Sequence, residues 1–433
     1  MANVIDYLKD YKDIPLKEEP FNELDALIFA RLSYIDFSSI VNNSRIRKRK
    51  LVDAINETLL LKGNSYRFRL EEDKMLIDLL RASLRFKDVY IKGYIKDTDP
   101  DLVKQFSAVT FCFTDQVKKF LYISFRGTDG TYTGWKEDFD MSYKDIVPAQ
   151  EEASKYLRKT LNFSSYKTIY IGGHSKGGNL AIYAASTLRR NIQNNIVGIY
   201  CFDSPGFKSD ILLRPGFQEI KSKICHYAPQ SSVIGRLLYK DYPTIVISSK
   251  KSLIYQHNVY NWEVKNAKII RENKFTFISN KFDKELKDNL KLMSYPEREE
   301  FVNEVFKIVK ELSVDDKIDF SGGVVNFAKR FRNILKAESA NTQRIIKSLF
   351  SRDKEESEVN FVEPISNKKP AKIVQKIKNV YDKVGGIIKS DKDDTVVMII
   401  NESENEPKKR KYFRKKNKID AQEKEEIKCI ESK

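Results

Sequence analysis

Thr168-Ile-Tyr-Ile-Gly-Gly-His-Ser-Lys-Gly-Gly-Asn-Leu180 is the stretch that decides the fold. The apolar, β-branched run Ile169 to Ile171 predicts a strand, and it ends in Gly172-Gly173-His174-Ser175-Lys176-Gly177. An alanine-rich segment, Asn179 to Arg189, predicts a helix at once afterwards. Strand, glycine-flanked turn and helix are the setting in which G-x-S-x-G forms a nucleophile elbow. A free serine hydroxyl is a weak nucleophile and must stand exposed beside a base. A tight turn would project the Ser175 Oγ from the top of a sheet. Side chains at Gly173 and Gly177 would collide where strand and helix pass close. The helix N-terminus offers unpaired N–H groups to developing negative charge. The competing reading is a phosphate-cradling β-to-α turn, but neither G-x-G-x-x-G nor G-x-x-x-x-G-K-[ST] fits these residues.

Upstream, the spacing of Leu24, Leu27, Ile28, Leu32 and Ile35 predicts an amphipathic helix capped by Asn22. Met75 to Leu84 predicts another. Strands are expected at Val89–Ile95, Ser107–Thr114 and Lys119–Phe125, the last two forming a hairpin, and a helix from Pro148 to Leu161. Downstream, Ile196–Phe202, Lys223–Ala228 and Thr244–Ser248 read as further strands. This alternation implies α/β architecture, a mostly parallel sheet with helices on both faces. Asp283 to Leu312 and Val324 to Phe350 read as charged helices, and Lys372 to Val384 as a short one. The expected organisation is a helical segment over 1–85, a core over 86–265 and a helical extension over 266–350. A charged, largely disordered tail follows over 351–433.

The 433 residues carry a net charge of +17, which favours anionic partners: a membrane surface, nucleic acid or an acidic polymer. An ordinary lysine-rich surface would give the same balance. In the tail, Lys408-Lys-Arg-Lys411 and Arg414-Lys-Lys416 enclose Tyr412-Phe413. That pattern suits anionic lipid or RNA, and also a solvated tail. The four cysteines show no C-x-x-C spacing, and Cys112 and Cys201 lie in apolar runs. Buried free thiols and a reducing compartment are therefore expected. The first ten residues read as neither signal nor transit peptide. No apolar run approaches the ~20 residues that span a bilayer. A soluble, cytoplasmic protein is the expectation.

Three histidines make the search for a base short. His174 adjoins the nucleophile, with its ring expected to point away from Oγ. His226 lies inside an apolar strand and reads as a core residue. His257 follows the last strand in a polar loop, where the order Ser, acid, His along the chain puts the base. The acid belongs at a strand end between Ser175 and His257. Asp203 fits, and Asp210 and Asp241 remain weaker alternatives. An oxyanion hole needs backbone N–H donors, one from Lys176 and one from Thr128 in Arg126-Gly127-Thr128. Arg126 is expected to hold that loop by pairing with Asp138 or Asp140. Residues 130–147, aromatic and beside the oxyanion loop, suggest a flap.

Phe125-Arg-Gly-Thr128, the downstream Gly-Trp-Lys-Glu-Asp138, Gly-His-Ser-Lys-Gly177 and Asp-Ser-Pro-Gly206 together resemble the class 3 (fungal-type) lipases. They are closer still to a bacterial branch of lipase-like α/β-hydrolases. That branch has segments similar to Phe21 to Phe37, Pro-Gln-Ser-Ser-Val-Ile-Gly235 and Gln-His257. The resemblance spans roughly residues 1–320. It implies an α/β-hydrolase fold and cleavage of an acyl ester or lipid by Ser175, with His257 as base and Thr128 and Lys176 at the oxyanion hole. No metal or organic cofactor is implied. Class 3 lipases keep their acid in the loop where this chain has Ser231 and Ser232, so the acid role passes to Asp203 or is absent. A hydrolase-fold scaffold, catalytically weak or inactive and recruited to anionic membrane or nucleic acid by the basic tail, is the alternative. A thioesterase or peptidase on the same fold is a third.

Overall fold

Burial with a period of two assigns the strand residues to two covered sheet faces. In the strand Lys119–Phe125, Phe120 and Tyr122 join one apolar cluster while Leu121, Ile123 and Phe125 join another. The same split separates Val109, Phe111 and Phe113 from Phe106, Ala108 and Cys112 in Lys104–Thr114. A chain that alternates in this way must be covered on both sides.

The computed structural model of the chain describes residues 2–41, 48–62, 71–114, 118–129, 131–162, 166–314, 317–318 and 323–350. The charged tail expected over 351–433, with its basic clusters, the short helix at 372–384 and Cys429, lies outside them. In chain order the elements begin with α1 (Val4–Tyr11), α2 (Glu23–Leu32), β1 (Arg49–Lys50), α3 (Leu51–Lys62) and α4 (Glu71–Arg81). Then come β2 (Tyr90–Asp99), β3 (Lys104–Thr114), β4 (Lys119–Phe125), α5 (Tyr132–Asp140), α6 (Pro148–Leu161), β5 (Thr168–His174) and α7 (Lys176–Ser186). After α8 (Arg190–Gln193) follow β6 (Ile196–Phe202), α9 (Ser209–Leu212), α10 (Pro215–Ile220), β7 (Ile224–Pro229) and β8 (Thr244–Ile247). Two short strands, β9 (Val264–Lys265) and β10 (Lys268–Ile269), precede α11 (Phe277–Leu292) and α12 (Tyr295–Glu311). The last elements are β11 (Ser313–Val314), β12 (Lys317–Ile318), α13 (Gly323–Leu335) and α14 (Ala340–Phe350).

One eight-stranded sheet runs in the order β1 to β8. Its β4 to β8 pairs are parallel, and β1 to β4 pair antiparallel. It is an α/β-hydrolase fold with a mostly parallel sheet. The antiparallel edge follows from the short β3–β4 connection, because only parallel neighbours need a long crossover. Residues of α1, α2, α3 and α4 share one cluster with one sheet face, and α6, α7 and α10 share the other. Asn22 caps α2 through a capping box with Asp25. Asp25 also meets Arg85 at 2.5 Å in a pair closed to solvent, and Arg31 meets Asp73 at 2.6 Å. These pairs tie the N-terminal helices to each other where burial of either charge alone would be costly.

A third apolar cluster joins α5 and the turn after it to α11, α12 and α14. The single charged helix expected over 283–312 is two helices, broken at Met293. Ser294 caps α12 in a capping box with Glu297 and ends the run. The flap expected at 130–147 does not lie free. Its helix α5 packs beneath α12, with the Tyr132 and Phe139 rings 5.8 and 5.0 Å from that of Phe306. All described residues fall within one compact unit. Cys112, Cys201 and Cys225 are free thiols, and burial pushes each thiol's pKa up.

Candidate active site

Ser175 is the first residue beyond β5, with φ 59° and ψ −134°. An L-residue adopts that backbone only where its surroundings force it. The forcing is visible here. The Ser175 N–H donates to the Phe202 carbonyl of β6 at 2.9 Å, and the Ser175 carbonyl accepts from Gly178 at 3.0 Å. A Cβ on Gly173 or Gly177 would run into the Phe125 backbone of β4, so the turn closes only with glycine at both places. Lys176 opens α7, and its N–H therefore has no partner within the helix.

Asp203 is the first residue beyond β6, also with positive φ, 46°. Its Oδ2 accepts from His257 Nδ1 at 2.7 Å. Its Oδ1 accepts from the Ser232 hydroxyl at 2.5 Å and the Gly235 N–H at 3.0 Å. Ser232, in the loop after β7, thus supplies a hydroxyl that steadies Asp203. Asp210 and Asp241 are elsewhere, paired with Arg214 and Lys221.

His257 ends a one-turn 3-10 helix, Leu253–His257. That turn is pinned from three sides. The Trp262 indole donates to the Gln256 carbonyl at 2.7 Å, and Gln256 Oε1 accepts from the Ser231 N–H at 2.8 Å. His174 Nε2 donates to the His257 carbonyl at 2.8 Å. Because a carbonyl only accepts, His174 Nε2 carries the hydrogen, and Nδ1 accepts from the Tyr34 hydroxyl at 3.2 Å. His174 thus faces the main chain of His257. With Asp203 accepting at Nδ1, neutral His257 leaves Nε2 as an acceptor, and Ser175 and His257 line the same cavity. His226 is fully buried between the Thr244 hydroxyl and the Ser204 carbonyl. Burial lowers its pKa to about 3.

Thr128 lies beside the elbow and donates its hydroxyl to Asp138 at 2.5 Å. Asp138 also lines the cavity, and burial raises its pKa to about 6 against the opposing pull of Lys176. Arg126 does not pair with Asp138 or Asp140. It meets Asp129 at 3.6 Å, because Asp138 is taken by Thr128 and Asp140 by Lys136 and Lys144. Lys176 instead ties the elbow to α5 and β3. Its Nζ is closed to solvent and donates to Glu137 at 2.8 Å and to the Gln105 carbonyl at 3.1 Å. Glu137 also accepts the N–H groups of Gln105 and Ala149.

Sequence reasoning missed Tyr34, Ser232 and the Lys176–Glu137 pair as parts of this site. Glu137 stood in the quoted Gly-Trp-Lys-Glu-Asp138 run, yet no local pattern marks a charge as buried. It placed the aromatic segment 130–147 over the site, but missed the wall that α11 and α12 supply. Besides Ser175 and His257, the cavity is lined by Trp135 and Phe139 of α5, Leu286 and Leu290 of α11, and Phe301 and Val302 of α12. Among the described residues, no group of His, Cys, Asp or Glu is arranged to hold a metal ion, and no helix is long and apolar enough to cross a membrane.

The sequence pattern of the Mbeg1-like family matches residues 80–307, more than half of the chain. No curated protein matches. Among solved structures, the chain is similar to a propeptide complex of Rhizomucor miehei lipase, with 16% identity, 50% of this chain and 75% of that one covered, and a TM-score of 0.27. It is also similar to a mutant form of MDLA from Penicillium cyclopium, with 14% identity, 57% and 84% covered, and a TM-score of 0.32. Likenesses this distant carry no argument about function.

Proposed function

The chain belongs to the Mbeg1-like family, and we propose that it is a serine hydrolase that cleaves a carboxylic ester through an acyl-enzyme on Ser175. The observation that carries this reading is the Asp203–His257 contact at 2.7 Å, made at a cavity that Ser175 also lines. His257 Nε2 accepts the Ser175 proton as Oγ attacks the ester carbonyl. The Lys176 N–H and the Thr128 main chain receive the oxyanion of the tetrahedral intermediate. Collapse expels the alcohol, which takes the proton back from His257. Water, deprotonated by the same imidazole, then releases the acid and restores Ser175.

Asp203 supports an active enzyme over an inactive scaffold, since it fills the role the Ser231–Ser232 loop leaves vacant. Residues 86–265 are the catalytic core on this reading, with 1–85 and 266–350 as helical additions. The free thiols support a reducing, cytoplasmic setting. The test is direct. A fluorophosphonate should label the wild type and spare Ser175→Ala, and p-nitrophenyl ester hydrolysis should disappear in the same variant. Wild-type protein that is folded yet neither labelled nor active would end the proposal.

A further inference from the structure

The residues that enclose the cavity beside Ser175 come from helices and loops rather than from the sheet strands, with α11 and α12 supplying part of the apolar wall. We propose that this cavity takes a short, uncharged acyl group, and that Leu290 of α11 with Phe301 and Val302 of α12 limit its length. The inference rests on the serine-hydrolase reading above and adds the substrate class.

Three observations carry it. The first is size. The cavity holds about 80 Å³. An apolar cavity of about 150 Å³ accepts a benzene-sized guest, so this one accommodates only a few carbon atoms. The second is chemistry. Away from Ser175 and His257 the walls are mainly Trp135, Phe139, Leu290, Phe301 and Val302, and no lysine or arginine lines the cavity. The one acid there, Asp138, disfavours an anionic acyl group.

The third is that the roof is braced. Arg298 of α12 donates to the Leu290 carbonyl at 2.6 Å and to the Ser142 carbonyl at 3.3 Å, joining α12 to α11 and to the turn after α5. From outside, α14 buries Ile345 against the same apolar cluster. Arg344 reaches Asn289 at 3.2 Å. Ahead of α14, Glu338 pairs with Lys307 at 2.9 Å, and the Ser339 hydroxyl donates to Glu304 at 2.8 Å. Lifting the roof to admit a longer chain would expose Phe301, Phe306 and Ile345 together. Burial of all three in one apolar cluster opposes that motion. The walls therefore discriminate by length, where each methylene that does not fit is worth about tenfold or more.

The test is a series of p-nitrophenyl esters from acetyl to decanoyl, run on the full chain with fluorophosphonate labelling in parallel. Wild-type kcat/KM should peak at acetyl to butyryl and fall at least about tenfold by octanoyl. Phe301→Ala and Leu290→Ala should shift the optimum to longer esters, and Val302→Leu should shorten it. A wild type that prefers octanoyl or decanoyl overturns the inference. So do folded variants that leave the length profile unmoved. If the truncations fail to fold, the wild-type profile and Val302→Leu decide. Labelling with the wrong length order sinks this inference alone, whereas no labelling sinks the hydrolase reading and takes this inference with it.

Discussion

Asp203→Asn is the perturbation whose consequence the geometry fixes most tightly. Oδ1 of Asp203 faces two donors, the Ser232 hydroxyl at 2.5 Å and the Gly235 N–H at 3.0 Å, while Oδ2 faces His257 Nδ1 at 2.7 Å. An asparagine must place its single oxygen in one of these positions. Toward His257, the amide NH₂ would confront the Gly235 N–H, a fixed donor, and leave it only the Ser232 hydroxyl oxygen, at 2.8 Å, as an acceptor. The oxygen therefore stays with Ser232 and Gly235, and the NH₂ points at His257 Nδ1. Nδ1 must then accept, so the hydrogen moves to Nε2. An imidazole in that tautomer cannot take the Ser175 proton. The same tautomer error in a serine triad lowers kcat by about 10⁴-fold, equivalent to roughly 5 kcal/mol of barrier. Folding should suffer far less, about 1–2 kcal/mol, because both Oδ1 donors keep an acceptor. The assay is kcat/KM on p-nitrophenyl butyrate beside urea unfolding. Asp203→Asn within tenfold of wild type, in a protein where Ser175→Ala is dead, would refute the assignment of Asp203 as the group that sets the tautomer.

Two further outcomes are expected. Lys176→Met leaves the buried Glu137 carboxylate without its cation, and should destabilise the fold by roughly 3–5 kcal/mol. Adding Glu137→Gln should restore part of that loss, and urea midpoints showing no coupling between the two positions would refute the pairing argument. For His226, burial lowers the folded-state pKa from 6.5 to about 3. Between those values the unfolded chain binds a proton that the native state excludes. The stabilisation is complete above about pH 6.5 and disappears as pH falls toward 3. From pH 7 to pH 4 that is about 3 kcal/mol. The stability gap between wild type and His226→Gln should narrow by this amount in urea titrations at the two pH values, and a constant gap would show that His226 is not the group responsible.

Local pattern carried much of the fold and part of the site. The hairpin of β3 and β4, the β-branched runs of β5 and β6 and the helices between the strands announced a sheet covered on both faces. The two glycines around Ser175 announced the turn. His257 stood out because so few imidazoles were available. All of these signals are set by residues within a turn or two of each other, and a linear string records them directly.

Partnership across the chain was not legible in the same way. Asp203 and His257 are 54 residues apart, and the sequence left Asp210 and Asp241 beside Asp203 as alternatives. Arg126 was expected to reach Asp138 or Asp140. Only the prior claims of Thr128, Lys136 and Lys144 leave it with Asp129. The segment of α11 and α12 was readable as charged helix, but not as a wall of a cavity beside Ser175. Periodicity reports that a face is buried because hydrophobic burial has no direction. Which surface covers it, and which of several carboxylates meets a given base, depends on hydrogen bonds and close packing that exist only once distant strands lie side by side.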